Sequence, residues 1–351
     1  MSLHEFLMMT CGATLALLAL WSWLLWRDQR GMLAARTAIL MNLGIASYVF
    51  ETTGWTEQDN LQGLVLGTLA RCTPALFWLF ARTWFNDRTR LARSDVLLAG
   101  LYMANALVMH LSFQRAPQVF FTSAILFRVG MFAFAGAGLW EAWRGREGDL
   151  IEPRRRLRLA LIGVVGAYVL AIAVAEMAVF NAHAPYLLIS LIGSSTSLAT
   201  LAICAAMFAL RQADLFGPNA SAPAPALTPS PVDSPAIARL QALMETDKPH
   251  RDEGLTIAAL AARLGEQEYR LRRLINRQLG HRNFAQFLNT YRLDEVRQAL
   301  VDPAQRDVPI LTIALDAGFG SLGPFNRAFR EAEGMTPSEY RAGALADSEI
   351  G

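Results

Sequence analysis

In the stretch "EYRLRRLINR", residues 268–277, Leu271, Leu274 and Ile275 recur at helical spacing. Tyr269, Arg272, Arg273 and Asn276 are expected to project from the opposite side, with Arg270 and Arg277 beside them. A guanidinium is a planar fork of donors that matches the O6/N7 edge of guanine or a phosphate, so this helix carries the chemistry of a polyanion-binding face. The same plan recurs downstream, where Phe325, Ala328 and Phe329 turn inward and Gly323, Asn326, Arg327 and Arg330 outward. The Asn326 amide suits the N6/N7 edge of adenine. A third set of polar residues lies in apolar surroundings: Arg71, Arg128, Glu51 and Glu176, with Asn42 deeper. Charges there are costly unless paired or turned toward a cavity. They make either an outward-opening pocket for an anionic or polar ligand, or a buried structural ion-pair network.

Gly318-x-Gly320-x-x-Gly323 has the spacing of a dinucleotide-binding loop, which needs a strand before it, a βαβ unit around it and an acidic residue about 20 positions on. Only 28 residues follow Gly323 and none make a strand pattern. Gly318 then reads as the tight turn between two helices.

The elements that must position the arginines are all helical. Ile257, Leu260, Ala261 and Leu264 give the i, i+3, i+4, i+7 pattern, with Thr256 placed to cap and Gly265 to end that helix before the arginine-bearing one starts. Ile310, Ile313, Ala314 and Ala317 repeat the pattern before Gly318. These are two helix-turn-helix units, and Phe284–Leu300 reads as one long helix joining them. Such a pair can address two successive major grooves, about 34 Å apart.

The first two hundred residues differ in kind. All eight Trp lie there, with seven apolar segments near 6–26, 37–55, 61–85, 96–113, 118–140, 157–180 and 185–210. Each approaches the ~20 residues that cross a hydrocarbon core. The first has no Lys or Arg before it, so it reads as an anchor rather than a cleaved leader. Arg27, Arg30 and Arg36 follow the first span, Arg82, Arg88, Arg90 and Arg93 the third, and Arg144, Arg146, Arg154, Arg155, Arg156 and Arg158 the fifth; the alternate loops hold only Arg115. Basic loops stay cytoplasmic, which puts the N-terminus outside and the tail in the cytoplasm.

The expected organisation is a seven-span domain over 1–211, a Pro/Ala/Ser-rich linker over 212–235 and a soluble domain over 236–351, in an all-α fold. Residues 217–235 hold six Pro and cannot build a core. The last domain has 15 Lys+Arg against 16 Asp+Glu, a net of −1, so DNA binding is argued from where Arg270, Arg272, Arg273, Arg277 and Arg282 cluster and not from total charge. The five His are scattered and the three Cys lie in apolar runs. No metal site, cofactor or enzymatic reaction is expected from them.

The segment "IALDAGFGSLGPFNRAFREAEGMTPSEYR" resembles the C-terminal signature of the AraC/XylS family of bacterial transcription regulators. The resemblance rests on Ile313-Ala314, Gly318-Phe319, Phe325-x-Arg327-x-Phe329, Gly334-x-Thr336-Pro337 and Tyr340-Arg341. The family's first unit is matched by Leu271-x-Arg273-Leu274, Gly280 and Tyr291-Arg292-Leu293, for a coverage of about 255–341. It implies base-reading positions at Tyr269, Arg272 and Arg273 in the first unit and at Leu322, Gly323, Asn326 and Arg327 in the second, with Arg277 and Arg330 suited to phosphate. Glu266, Gln267 and Glu268 occupy a turn where the family usually has small and capping residues, and Gly323-Pro324 replaces a small polar pair.

The resulting expectation is a membrane-resident, one-component regulator of transcription. Its partners would be double-stranded DNA, the lipid bilayer, RNA polymerase, a second copy of the chain and an unknown small ligand or membrane signal. Leu311 and Leu315 lie outward, either as ordinary exposed side chains or as a contact for a partner subunit or polymerase. The rival expectation is a transporter-like or purely tethering membrane domain that carries a DNA-binding module, with proteolytic release at the linker.

Overall fold

The computed structural model describes residues 3–51, 60–87, 90–113, 115–152, 154–166, 195, 197–204 and 234–350. By its internal contacts the chain divides into two units, one comprising 1–147 and 152–224, the other 148–151 and 225–351. Among the described residues both are helical and no strand forms, only an isolated bridge between Asp149 and Asn283.

The first unit contains α1 (Leu3–Gln29), α2 (Leu33–Glu51), α3 (Leu61–Phe85), α4 (Arg93–Ser112) and α5 (Pro117–Arg144). Each holds a stretch long and apolar enough to cross a membrane. These helices fall where the first five apolar segments were expected, with ends displaced by a few residues. Most of the sixth and seventh segments, Glu176 and nearly all of the linker lie outside the described residues; residues 154–166 and 197–204 are helical.

Small residues bring the helices close. Ala34, Ala35 and Ala38 of α2 are buried, a Cβ added at Gly44 would lie 2.7 Å from Thr73 Oγ1, and the Thr37 and Thr83 hydroxyls hydrogen-bond at 2.8 Å. Leu18, Trp21 and Leu25 of α1 fill the same core with Phe77, Phe80 and Trp84 of α3. The outward residues are apolar too: Val96, Leu97, Leu98 and Leu101 of α4, and Phe121, Ile125, Leu126 and Val129 of α5, are all exposed. A helix lying in water would place polar residues there.

Two of the arginines assigned to a basic loop have another role. Arg154 and Arg158 are fully buried. Arg154 pairs with Asp87 at 2.7 Å and donates to the Trp84 carbonyl, while Arg158 donates to the Phe85 carbonyl at 2.7 Å. They satisfy the orphan carbonyls at the C-terminal end of α3, where cations are favoured.

The second unit contains α6 (Ser234–Thr246), α7 (Ile257–Leu264), α8 (Glu268–Arg277), α9 (Phe284–Val301), α10 (Ile310–Asp316), α11 (Leu322–Glu333) and α12 (Pro337–Ile350). Its local rules are those read from the sequence. Thr256 caps α7 by accepting from the Ala259 amide, and Gly265 ends it at φ 67°. Gly334 ends α11 at φ 75°; Thr336 and Glu339 then form a reciprocal cap ahead of α12, in which Pro337 takes the first position. There are two cores. Leu240, Leu260, Leu271, Ile275, Phe284, Phe287 and Leu288 build the first, and Leu293, Val296, Leu300, Ile313, Phe325 and Phe329 the second. The joining helix α9 contributes its N-terminal half to one and its C-terminal half to the other.

Gly318 adopts φ 95°, and a Cβ there would lie 2.5 Å from the His250 carbonyl. The three glycines therefore belong to a helix-turn-helix corner, not to a phosphate cradle, since no strand precedes Gly318.

Candidate nucleic-acid interface

The polar side of α8 is set by what its apolar side must bury. Leu271, Leu274 and Ile275 enter the first core, and Tyr269, Arg270, Arg273 and Arg277 are exposed. Arg273 and Arg277 make no ion pair among the described residues, which leaves two guanidinium forks presented to solvent. Arg270 pairs with Glu266 at 3.2 Å, and Glu266 also takes Arg239 at 2.8 Å. The turn's negative charge is thus held by local cations.

Arg272 departs from the sequence reading. It is buried, not projecting: Nε and Nη2 donate to Glu268 Oε1 at 2.9 and 2.5 Å, and Nη1 donates to the Asp149 carbonyl at 2.8 Å. The physical reason is angular. At about 100° per residue Arg272 sits at the edge of the apolar side, where Arg273 sits opposite it. That edge is covered by residues 148–151, distant in sequence.

In the second unit Phe325 and Phe329 are fully buried, while Leu322, Gly323, Asn326, Arg327 and Arg330 are all exposed on α11. Leu311 and Leu315 of α10 are exposed as expected. The two polar helix faces are carried on the two halves of α9. Behind them, Arg292 of α9 is buried and donates to the His250 carbonyl at 2.6 Å and the Asp252 carbonyl at 3.0 Å. His250 Nε2 lies 3.5 Å from Glu295, which also takes Lys248 at 2.7 Å and Arg251 at 2.9 Å. Burial opposes ionisation of Glu295, but the hydrogen bonds from Arg251 and Lys248 outweigh it and hold the carboxyl down at about 2. Burial lowers the His250 imidazole below its ordinary value.

In the first unit Glu51 and Arg71 do come together, over the bare backbone of Gly67. A Cβ at that glycine would lie 2.6 Å from Arg71 Nη1, 2.8 Å from Glu51 Oε1 and 3.4 Å from His110 Nδ1. Arg71 Nη1 is buried without a hydrogen-bond partner. His110 does not stand out in the sequence, because a lone histidine in an apolar run carries no spacing signal. Arg128 bonds the Ala124 carbonyl of its own helix, and Asn42 donates to Ser22 of α1.

Two helix-turn-helix units on one shared helix, each presenting a polar face, define a DNA-binding regulator. A family model described as "Helix-turn-helix domain" matches residues 260–343. The chain is 32% identical over 102 residues to the regulatory protein SoxS of Salmonella typhimurium, covering 29% of this chain and 92% of that protein. It is 33% identical over 100 residues to an uncharacterized HTH-type transcriptional regulator of Staphylococcus aureus, covering 28% of this chain and 13% of that one. No solved structure matches. Through its C-terminal domain the chain belongs to the AraC-type family of helix-turn-helix transcription regulators.

Proposed function

We propose that the chain is a membrane-embedded, one-component transcription regulator whose N-terminal unit receives a signal and controls promoter binding by the C-terminal one. The observation that carries the reading is the pair of exposed faces, Tyr269/Arg273/Arg277 on α8 and Asn326/Arg327/Arg330 on α11, fixed to one joining helix. At 18 residues α9 runs about 27 Å, close to the ~34 Å between successive major grooves. Arg273 and Asn326 read base edges, and Arg277 and Arg330 bind phosphate. Arg272 joins Arg273 once it is freed from Asp149.

Membrane residence is supported by the five apolar helices, the exposed apolar faces of α4 and α5 and the basic loops after the odd-numbered spans. The signal site is the Glu51–Arg71–His110 cluster, where the Arg71 Nη1 without a hydrogen-bond partner suits an anionic or polar ligand. A second copy of the chain and RNA polymerase are the further partners, with Leu311 and Leu315 as the surface for one of them.

The test is a selection from random duplex DNA with the full chain in lipid nanodiscs, comparing wild type with Arg273→Ala/Arg327→Ala at two salt concentrations. A bipartite motif with half-sites about ten base pairs apart, lost in the double variant, is expected. Absence of any enriched sequence, with salt-sensitive binding equal in both proteins, would refute the reading.

A further inference from the structure

Residues 148–151 lie in the short loop after α5, between Arg144 and the helical residues from 154 onward, yet they belong to the DNA-reading unit. They are attached to it through the isolated antiparallel bridge. The Leu150 amide donates to the Arg282 carbonyl at 3.1 Å and the Phe284 amide to the Gly148 carbonyl at 2.8 Å, which makes Asp149 and Asn283 an antiparallel pair. Leu150 is buried in the same core as Leu271, Leu274, Phe284 and Phe287. Asp149 is buried, accepting from the Ile151 amide with its side chain and from Arg272 with its carbonyl.

The attachment falls on functional ground. It fastens to the backbone just ahead of α9 and ties up the guanidinium that the family resemblance places at a base. It also sets Asp149 against α8, the helix meant to meet phosphates. Four residues making two ladder bonds, one apolar plug and one arginine contact form a specific dock that is small enough to release.

We propose that Gly148–Ile151 is an intramolecular clasp: the edge of the first helix-turn-helix unit is a docking surface for this loop, and docking withholds Arg272 from DNA. Because both ends of the loop run directly into helices of the first unit, a change there acts on the clasp without passing through the Pro-rich linker. This inference rests on the DNA-reading function proposed above.

The test uses the full chain in nanodiscs and a random-sequence duplex pool, in two variants. Leu150→Glu puts a charge into the apolar plug and ejects the loop; the bound fraction rises, about tenfold or more, as one guanidinium contact is regained. The second variant is Asp149→Cys/Asn283→Cys. A pair flanked by ladder bonds in this way has its Cα atoms about 4.5 Å apart, within disulfide reach. The three native cysteines are buried and do not compete.

Oxidation of this variant closes the clasp, and the bound fraction is expected to fall about tenfold and to recover on reduction. Two results overturn the clasp while leaving the reader intact: equal binding in the oxidised and reduced forms, or failure of the disulfide to form in a chain that binds DNA. If no form of either variant enriches any sequence, the DNA-reading function itself falls and the clasp with it.

Discussion

Alanine substituted at each glycine of Gly318-x-Gly320-x-x-Gly323 should give three different outcomes, because the three positions differ in physics. At Gly318 the backbone has φ 95°, and an added Cβ would meet the His250 carbonyl at 2.5 Å, Arg251 Cα at 2.7 Å and the Arg251 carbonyl at 2.8 Å. All three are backbone atoms and cannot swing aside. The left-handed conformation costs an alanine about 1–2 kcal/mol. Pushing the 249–251 turn away also loosens the bonds from Arg292 to the His250 and Asp252 carbonyls, each worth about 1.5–3 kcal/mol as a bond to a charged group. Losing one of them with the strain gives about 4 kcal/mol, a large share of the 5–15 kcal/mol that holds a domain folded. At Gly320 the obstacle is the Glu253 side chain, which can rotate away, so the cost is about 1 kcal/mol or less. At Gly323 a Cβ meets nothing within 4 Å and the residue lies in the first turn of α11; alanine is neutral or stabilises by up to about 1 kcal/mol. The assay is amide hydrogen exchange of α9 in the full chain, which reads the opening free energy of this unit. Equal losses at all three positions would refute the corner geometry and revive a loop in which every glycine is needed.

Arg277→Ala should weaken DNA binding about evenly across sequences and reduce the salt slope by about 1, whereas Arg273→Ala should cost about 1–3 kcal/mol at one base position; titrations on the selected motif and its point variants separate the two. Acidification should destabilise the second unit in two steps of the same sign. His250 has a lowered value in the folded state, so the unfolded chain protonates first and stability drops as pH falls below about 6.5. Glu295, held at about 2, contributes stability that is complete above its unfolded value and lost as pH falls from about 4.3 toward 2. His250→Gln should shrink the upper step, leaving the part due to His281, whose imidazole is likewise lowered by burial, in exchange-detected stability against pH. Phe329→Ala empties a fully buried site beside Phe325 and Tyr340 and should cost about 3–5 kcal/mol, read as lost protection of α9 and α11.

The helical units were legible because their signals are local. Thr256 and Gly265 bracket α7 and the apolar period of α8 fixes which side is inward, while Gly334, Thr336 and Pro337 separate α11 from α12. Arg272 was misplaced because its burial is decided by Asp149, and a partner 123 positions away leaves no mark on a helical wheel. The clasp was unreadable for the same reason, since four residues have no period. Arg154 and Arg158 count as loop cations by composition, but the open carbonyls at the end of α3 draw them in. Glu51 and Arg71 stand out in the sequence as charges in apolar surroundings, whereas His110 joins them through the missing side chain of Gly67, a contact visible only in three dimensions.

The sharing of α9 between two cores has a geometric consequence for operators. A residue inserted midway along it, between Leu288 and Leu293, would turn the second unit by about 100° about the helix axis and advance it by about 1.5 Å. Both recognition helices would survive, yet they would no longer meet the same face of the duplex. Half-site spacing is then encoded as helical phase in a segment that touches no base, and new operators become accessible by changing its register rather than its reading residues.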